Sequence, residues 1–169
     1  MLVISGPPGV GKTTTAWQVF SRCTSEGLDP AMVDLDLLGA AWPVPASDPH
    51  QFGLKLQNLA AVWANYRAGG SRRLVVAAVV ETLAEKQMLQ SAVEADLLLC
   101  RLEASEKTLV ERIHRRGRDA GGDLDKLIRR ASELSALLSE QDVSDLVLET
   151  DGRAADEVAE VLLRSWLSH

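Results

Sequence analysis

Apolar residues recur along this chain with two spacings that alternate. Leu2 to Ile4 is a short continuous apolar run, as in a buried strand, and it breaks at Ser5-Gly6. From Thr13 to about Ser25 the spacing becomes helical, with Ala16, Val19, Phe20 and Cys23 on the core side, and Glu26-Gly27-Leu28-Asp29-Pro30 ends it. Ala31 to Leu35 predicts a second strand, and residues 39–51 a Pro-rich irregular loop. Phe52, Leu56, Leu59, Trp63 and Tyr66 follow at helical spacing until Gly69-Gly70-Ser71 closes the element. Leu74 to Val80 is a β-branched run of the kind buried on both faces of a sheet.

The alternation continues to the end of the chain. Leu83 to Val93 is helical, Ala95 to Leu102 is a fourth strand, and Ser105 to about Arg116 is a helix. Arg118 to Gly122 is a short polar loop, Asp123 to Ser139 a helix, Leu146 to Leu148 a fifth strand and Ala154 to Leu167 a last helix. Strands alternating with helices predict an α/β protein, a three-layer α/β/α sandwich around a five-stranded parallel sheet. No linker or repeat divides the 169 residues, so one domain spanning 1–169 is expected. Ligands in such sheets bind at the carboxyl ends of the strands. That edge collects the turn after Ile4, Asp34 to Asp36, Glu81, the loop after Leu102, and Thr150 to Arg153.

The first of these carries the chemistry. Gly6-x-x-x-x-Gly11-Lys12-Thr13 fits the phosphate-binding loop between a strand and a helix. Triphosphate oxygens must be met by several backbone N–H groups at close range. Gly6, Gly9 and Gly11 remove the side chains that would block them, and a helix N-terminus favours the anion. The turn Gly6, Pro8, Gly9, Val10, Gly11, Lys12, Thr13 and Thr14 is the expected nucleotide cradle. Lys12 can reach the β- and γ-phosphates, and the Thr13 hydroxyl can ligate Mg²⁺.

Asp34 and Asp36 stand two apart at the end of the second strand, a spacing that projects both to one side. One can order Mg²⁺ while the other accepts the proton of an attacking hydroxyl. Asp36 is the preferred base, with Asp34 on the metal side. A local turn-forming role for the pair is the alternative. Arg112 and Arg116 share a helix face. With Arg115, Arg118, Arg129 and Arg130 they form a basic group that can cover a nucleotide; pairing with Glu106, Glu111 and Asp119 is the competing reading. Trp42, in the irregular loop, and Trp63, on the next helix, are candidate walls of an acceptor pocket beside Asp36, with core packing the commoner role for a helical Trp. Glu81 ends the third strand where an acidic residue can serve Mg²⁺ or water. His50, His114 and His169 have no partner at ligand spacing.

Composition narrows the classes. A net charge of −6 and a pI of about 5.1 argue against a general nucleic-acid binder. Cys23 and Cys100 fit no metal or redox spacing and read as reduced thiols. Met1 leads directly into the first strand, and no apolar run approaches the ~20 residues of a membrane span. A cytoplasmic protein without a membrane partner is expected.

Together these pieces resemble the small P-loop kinases: nucleoside monophosphate kinases, shikimate kinase, gluconate kinase and antibiotic phosphotransferases. The resemblance covers nearly the whole chain and rests on Gly6 to Thr13, Asp34-Leu-Asp36, and Arg112 with Arg116. It implies strand order 2-3-1-4-5, a short lid at about 115–125 and an acceptor-binding region at about 36–70. It also implies that Arg112 stacks on adenine, that Arg116 touches phosphates, that Arg129 or Arg130 is the later lid arginine, and that Arg153 and its loop border the base.

The implied activity is transfer of the γ-phosphoryl group of ATP, with Mg²⁺, to a hydroxyl of a small molecule. Lys12, Asp34, Asp36 and Arg116 would be the catalytic set. The chain has Val79-Val80-Glu81-Thr82 where nucleotide kinases keep Gly-x-Pro-Arg, which speaks against a nucleoside monophosphate acceptor. Lys55 and Arg67 are the acceptor helix's cations, and its Trp/Tyr stripe is apolar, so a partly apolar acceptor is expected. A nucleotide-binding ATPase or switch module without a small acceptor, and a polynucleotide 5′-hydroxyl kinase, are the rival readings.

Overall fold

The computed structural model describes residues 1–117 and 121–169. In chain order the elements are β1 (Leu2–Ser5), α1 (Lys12–Ser25), β2 (Pro30–Asp34), a 3-10 helix (Leu35–Gly39), α2 (Phe52–Ala68), β3 (Arg73–Ala77) and α3 (Leu83–Val93). Then come β4 (Leu98–Glu103), α4 (Glu106–Arg116), α5 (Gly122–Gln141), β5 (Leu146–Glu149) and α6 (Ala155–Ser168). The five strands are parallel in the order β2-β3-β1-β4-β5. This is the order that the family resemblance implies. β1 is central, with Val3 level with Val76 on one side and Leu99 on the other.

Alternation along each strand divides the core in two. Leu2, Ile4, Ala77, Cys100 and Leu102 face α1, α4 and α6 through Ala16, Val19, Leu109, Ile113, Val158 and Leu162. Val3, Val33, Val76 and Leu99 face α2 and α3 through Leu56, Leu59, Trp63, Leu89 and Val93. Trp63 is only 8% exposed. It is a core residue, which corrects the expectation that it lines an acceptor pocket: a helix laid on a sheet must bury one stripe, and Trp63 lies on that stripe. Cys23 and Cys100 are buried free thiols; burial raises both, Cys100 up to about 12, so neither ionises readily.

Three apolar runs overshoot their elements for a common reason. β3 stops at Ala77; Ala78 N still donates to Ile4 O, but Val80 N turns to the Ser5 hydroxyl at 3.1 Å. Val80 remains buried, so its side chain reports burial and not strand. Leu35 is likewise buried but opens the 3-10 helix. Leu97 is buried ahead of β4, after Glu94 ends α3 with a φ of 50°.

Candidate functional site

The turn from β1 into α1 is wedged against its neighbours. Gly6 has φ 141°, and a Cβ there would lie 2.6 Å from Leu102 O of β4. Gly9 has φ 83°, and a Cβ there would lie 2.9 Å from Leu109 O and from Ile113 Cγ1 of α4. These two glycines therefore let the turn sit on β4 and α4, a need additional to phosphate access. Gly11 differs: nothing lies closer than 4.0 Å to the place a Cβ would take, and its φ of 106° alone disfavours a side chain. Val10 is buried in the core with Leu109 and Ile113, while Pro8 is half-buried and Thr14 exposed.

Lys12 folds back over the turn, its Nζ donating to Gly6 O at 2.8 Å and Pro7 O at 3.2 Å. Burial pushes this ammonium down to about 8; the carboxylates of Asp36 and Asp34 resist the shift, and the charge of Arg116 adds to it. A half-buried cation whose only partners here are two carbonyls is a strong attractor for an anion.

The two acidic residues do not form a strand pair. β2 ends at Asp34, and Asp36 lies in the 3-10 helix, so the two carboxylates have different partners. Asp34 Oδ2 accepts from the Thr13 hydroxyl at 2.7 Å, and its Oδ1 accepts from Asp36 N at 3.2 Å. Both oxygens are thus engaged, one of them in the local turn that the sequence allows. Asp36 pairs with Lys55 Nζ of α2 at 2.9 Å, and its charge is also felt at Lys12.

Arg112 of α4 joins the turn to the segment after β5. Its Nη1 donates to Val10 O at 3.0 Å and the Thr150 hydroxyl at 2.8 Å, and its Nη2 to Thr150 O at 2.8 Å. Thr150 is itself buried, its N donating to Glu103 O at 2.8 Å. Next to it, Asp151 accepts from Ser105 Oγ, Thr108 Oγ1 and Ser105 N, which together hold it down to about 2. Arg116 is exposed on the same helix, near enough to be felt at Lys12. Arg115 and Arg129 are also exposed. Arg153 Nη1 donates to Glu149 O at 3.4 Å. Arg118 and the centre of the expected lid lie outside the described residues.

Two further placements differ from the sequence reading. Glu81 Oε1 is bound by Arg130 Nη2 at 2.6 Å, which ties α5 to the segment between β3 and α3. Trp42 is 89% exposed in the loop beyond Asp36. An open loop supplies no opposing surface to bury it. Thr150, as the partner of Arg112, and Lys55, as the partner of Asp36, carry no motif of their own. The sequence signals were positional only: Lys55 on the helix that follows the acidic pair, and Thr150 at the carboxyl edge after the last strand.

Comparison with known proteins bears on this geometry. A family model described as an AAA domain matches residues 1–135. The chain belongs to that family. No curated protein sequence matches this AAA domain. Among solved structures it is similar to a gluconokinase from Sinorhizobium meliloti, at 18% identity and a TM-score of 0.68, covering 99% of this chain and 91% of that one. It is similar to the tunicamycin resistance protein of Deinococcus radiodurans at 22% and 0.68, covering 98% and 94%. The APS kinase of Mycobacterium tuberculosis matches at 20% and 0.67, covering 99% and 97%. The AAA domain therefore shares the fold of the small P-loop kinases across essentially its whole length. Among its described residues no helix is long and apolar enough to cross a membrane.

The donor set fits Mg²⁺ with a nucleoside triphosphate. Among the described residues no three His, Cys, Asp or Glu side chains converge on a metal. The Thr13 hydroxyl and Asp34 instead offer hard oxygens beside an amide-lined turn, the surroundings of an ion shared with phosphates. Thr13 would hold the ion directly and Asp34 would orient that hydroxyl.

Proposed function

We propose that this AAA domain is an ATP-dependent phosphotransferase whose acceptor is a hydroxyl of a small molecule. The observation that carries the reading is the hydrogen bond from Thr13 Oγ1 to Asp34 Oδ2, because it sets an acidic segment directly against the phosphate-binding turn. Mg²⁺, when bound, would neutralise charge on the transferring phosphoryl group. The turn's N–H groups and Lys12 bind the β- and γ-phosphates, and Lys12 exchanges its two carbonyl partners for phosphate oxygens. Asp34 orients Thr13. Asp36 accepts the proton of the acceptor hydroxyl as its oxygen attacks phosphorus. Arg116 and, from its position in the sequence, Arg118 close over the phosphates, while Arg112 and Arg153 border the base.

What flanks Asp36 supports a partly apolar acceptor. Leu37 is 75% exposed, and Trp42 and Val44 stand exposed in the loop beyond it. The nearest cation, Lys55, is already paired. These features favour a hydroxyl on a partly apolar body. The tunicamycin resistance protein is a structural neighbour named for resistance to an antibiotic, which is consistent with that class. The rival reading, a switch without an acceptor, would need Glu81 to position water, and Glu81 is instead engaged by Arg130.

The test is ADP release with Mg²⁺ and ATP, alone and with a panel of hydroxyl compounds and short oligonucleotides. Acceptor-stimulated release that falls by about 10² in Asp36→Asn, the scale of a lost general base, is the expected result. Acceptor-independent hydrolysis that survives in that variant overturns the reading in favour of the switch.

A further inference from the structure

Lys55 has a seat built for it. Its Nζ lies 2.9 Å from Asp36 Oδ1, yet its side chain is only 19% exposed, against 61% for Asp36. A pair between two free surface side chains contributes little, because both must give up their mobility. Here the stem is already fixed. Gly39 closes the 3-10 helix, and a Cβ on it would lie 2.6 Å from Lys55 Cε and 2.8 Å from Cγ. Gly39 is buried and its φ lies outside the left-handed region, so its missing side chain answers to space and not to backbone conformation. The aliphatic stem of Lys55 fills that space.

The surrounding contacts hold the seat rigid. Asn58 Nδ2, one turn further along α2, donates to Leu38 O at 2.7 Å. Gln51 Nε2, buried just ahead of α2, donates to Ala41 O at 2.8 Å. Three side chains from residues 51–58 thus grip residues 36–41, and only one of them ends on a carboxylate. Asp34 is held from the opposite side, by Thr13. The carboxylates therefore have separate supports: Asp34 from the phosphate turn, Asp36 from α2.

Resting on the phosphotransfer reading above, we propose that Lys55 is the positioning residue for Asp36, clamping Oδ1 so that Oδ2 stays presented to the acceptor hydroxyl, with Gly39 as the space that makes the clamp possible. Lys55 touches neither nucleotide nor acceptor. It acts through the orientation of Asp36, the group that receives the proton.

The test uses the full chain. In ¹H–¹⁵N spectra of the lysine ammonium groups, the wild type should show a slowly exchanging Lys55 signal that disappears in Gly39→Ala and in Asp36→Asn. With an acceptor found in the panel above, Lys55→Met and Gly39→Ala should each lower kcat for acceptor-stimulated ADP release by about 10- to 100-fold, the scale of a misplaced reacting group. KM for Mg·ATP should stay within about twofold, and Lys55→Arg should recover most of the rate. Lys55→Met also covers the case in which Gly39→Ala does not fold.

A Lys55 ammonium that exchanges as fast as solvent-exposed lysines overturns the clamp. Unchanged kcat in Lys55→Met overturns the positioning role while leaving the kinase reading intact, and so does a rise in acceptor KM alone. If no hydroxyl compound stimulates the wild type, the phosphotransfer reading falls and the positioning role falls with it, even where the ammonium signal is present.

Discussion

Thr13 and Asp34, twenty-one residues apart, meet through a 2.7 Å hydrogen bond in which the hydroxyl donates to the carboxylate. The contact exists because parallel pairing carries β2 to the same edge as the start of α1. It fixes the Thr13 rotamer before any ligand arrives. Asp34→Asn should weaken binding of Mg·ATP by about 10- to 100-fold, as for the loss of an orienting partner behind a metal ligand. Binding of ATP without magnesium should change much less. Calorimetric titration with and without Mg²⁺ distinguishes the two; an equal loss in both removes Asp34 from the metal side.

Lys12 makes nucleotide affinity depend on pH. Its ordinary value of 10.5 is pushed down to about 8 by burial, so the free protein loses this charge as pH rises through 8. Phosphate oxygens favour the charged form, so binding above pH 8 requires proton uptake. Affinity for ATP should fall about tenfold per pH unit above 8, and the heat of binding should then depend on the buffer. For folding the sign is opposite. The unfolded chain holds more protons between pH 8 and 10.5, so the cost of burying this charge is full below 8 and fades across that window. Lys12→Met should abolish the buffer dependence.

Gly9 and Gly11 should fail in different ways. Gly9→Ala forces a methyl against Leu109 O and Ile113 at 2.9 Å, and it should destabilise the fold by about 1–3 kcal/mol. Gly11→Ala meets no close neighbour. It should lose nucleotide binding with a smaller stability change, set by its left-handed backbone alone. Urea titration beside nucleotide binding separates the two; equal stability losses would mean that the packing of the turn on α4 is unimportant.

Arg112 cannot be replaced by lysine. Its two nitrogens serve Val10 O and both oxygens of Thr150, a planar fork that an ammonium does not reproduce. Arg112→Lys should cost on the order of 1–3 kcal/mol by leaving buried acceptors unpaired, and should also weaken ATP binding. Thr150→Val, which keeps the shape but removes one acceptor of Arg112 and the hydroxyl's own bond to Glu103 O at 3.0 Å, should cost less. A Lys variant as stable as the wild type would show that the clamp is dispensable.

Much of this was legible in the residues. The phosphate turn was readable because its chemistry is local: eight consecutive residues specify both its backbone path and its ligand. Element order was readable because strand and helix periods differ. Where the reading overshot, at Leu35, Val80 and Leu97, an apolar residue was buried outside any strand. Trp63 was a similar case. An aromatic on a helix near a candidate site is assigned only when it is known which side of the helix meets the sheet.

The partners of the site residues were not legible, since each depends on two segments brought together by folding. Nothing around Asp36 in the chain says that Lys55 will reach it over the bare face of Gly39. Nothing around Arg112 says that Thr150 will accept from it, or that Arg130 will meet Glu81. By itself the sequence determined that a nucleotide-binding turn opens a parallel α/β domain, because short-range geometry and hydrophobic period are written residue by residue. Only the tertiary structure decided that Asp34 belongs to the phosphate turn and Asp36 to α2. That division arises because the chain turns from strand into a 3-10 helix between them, and the two carboxylates then face different neighbours.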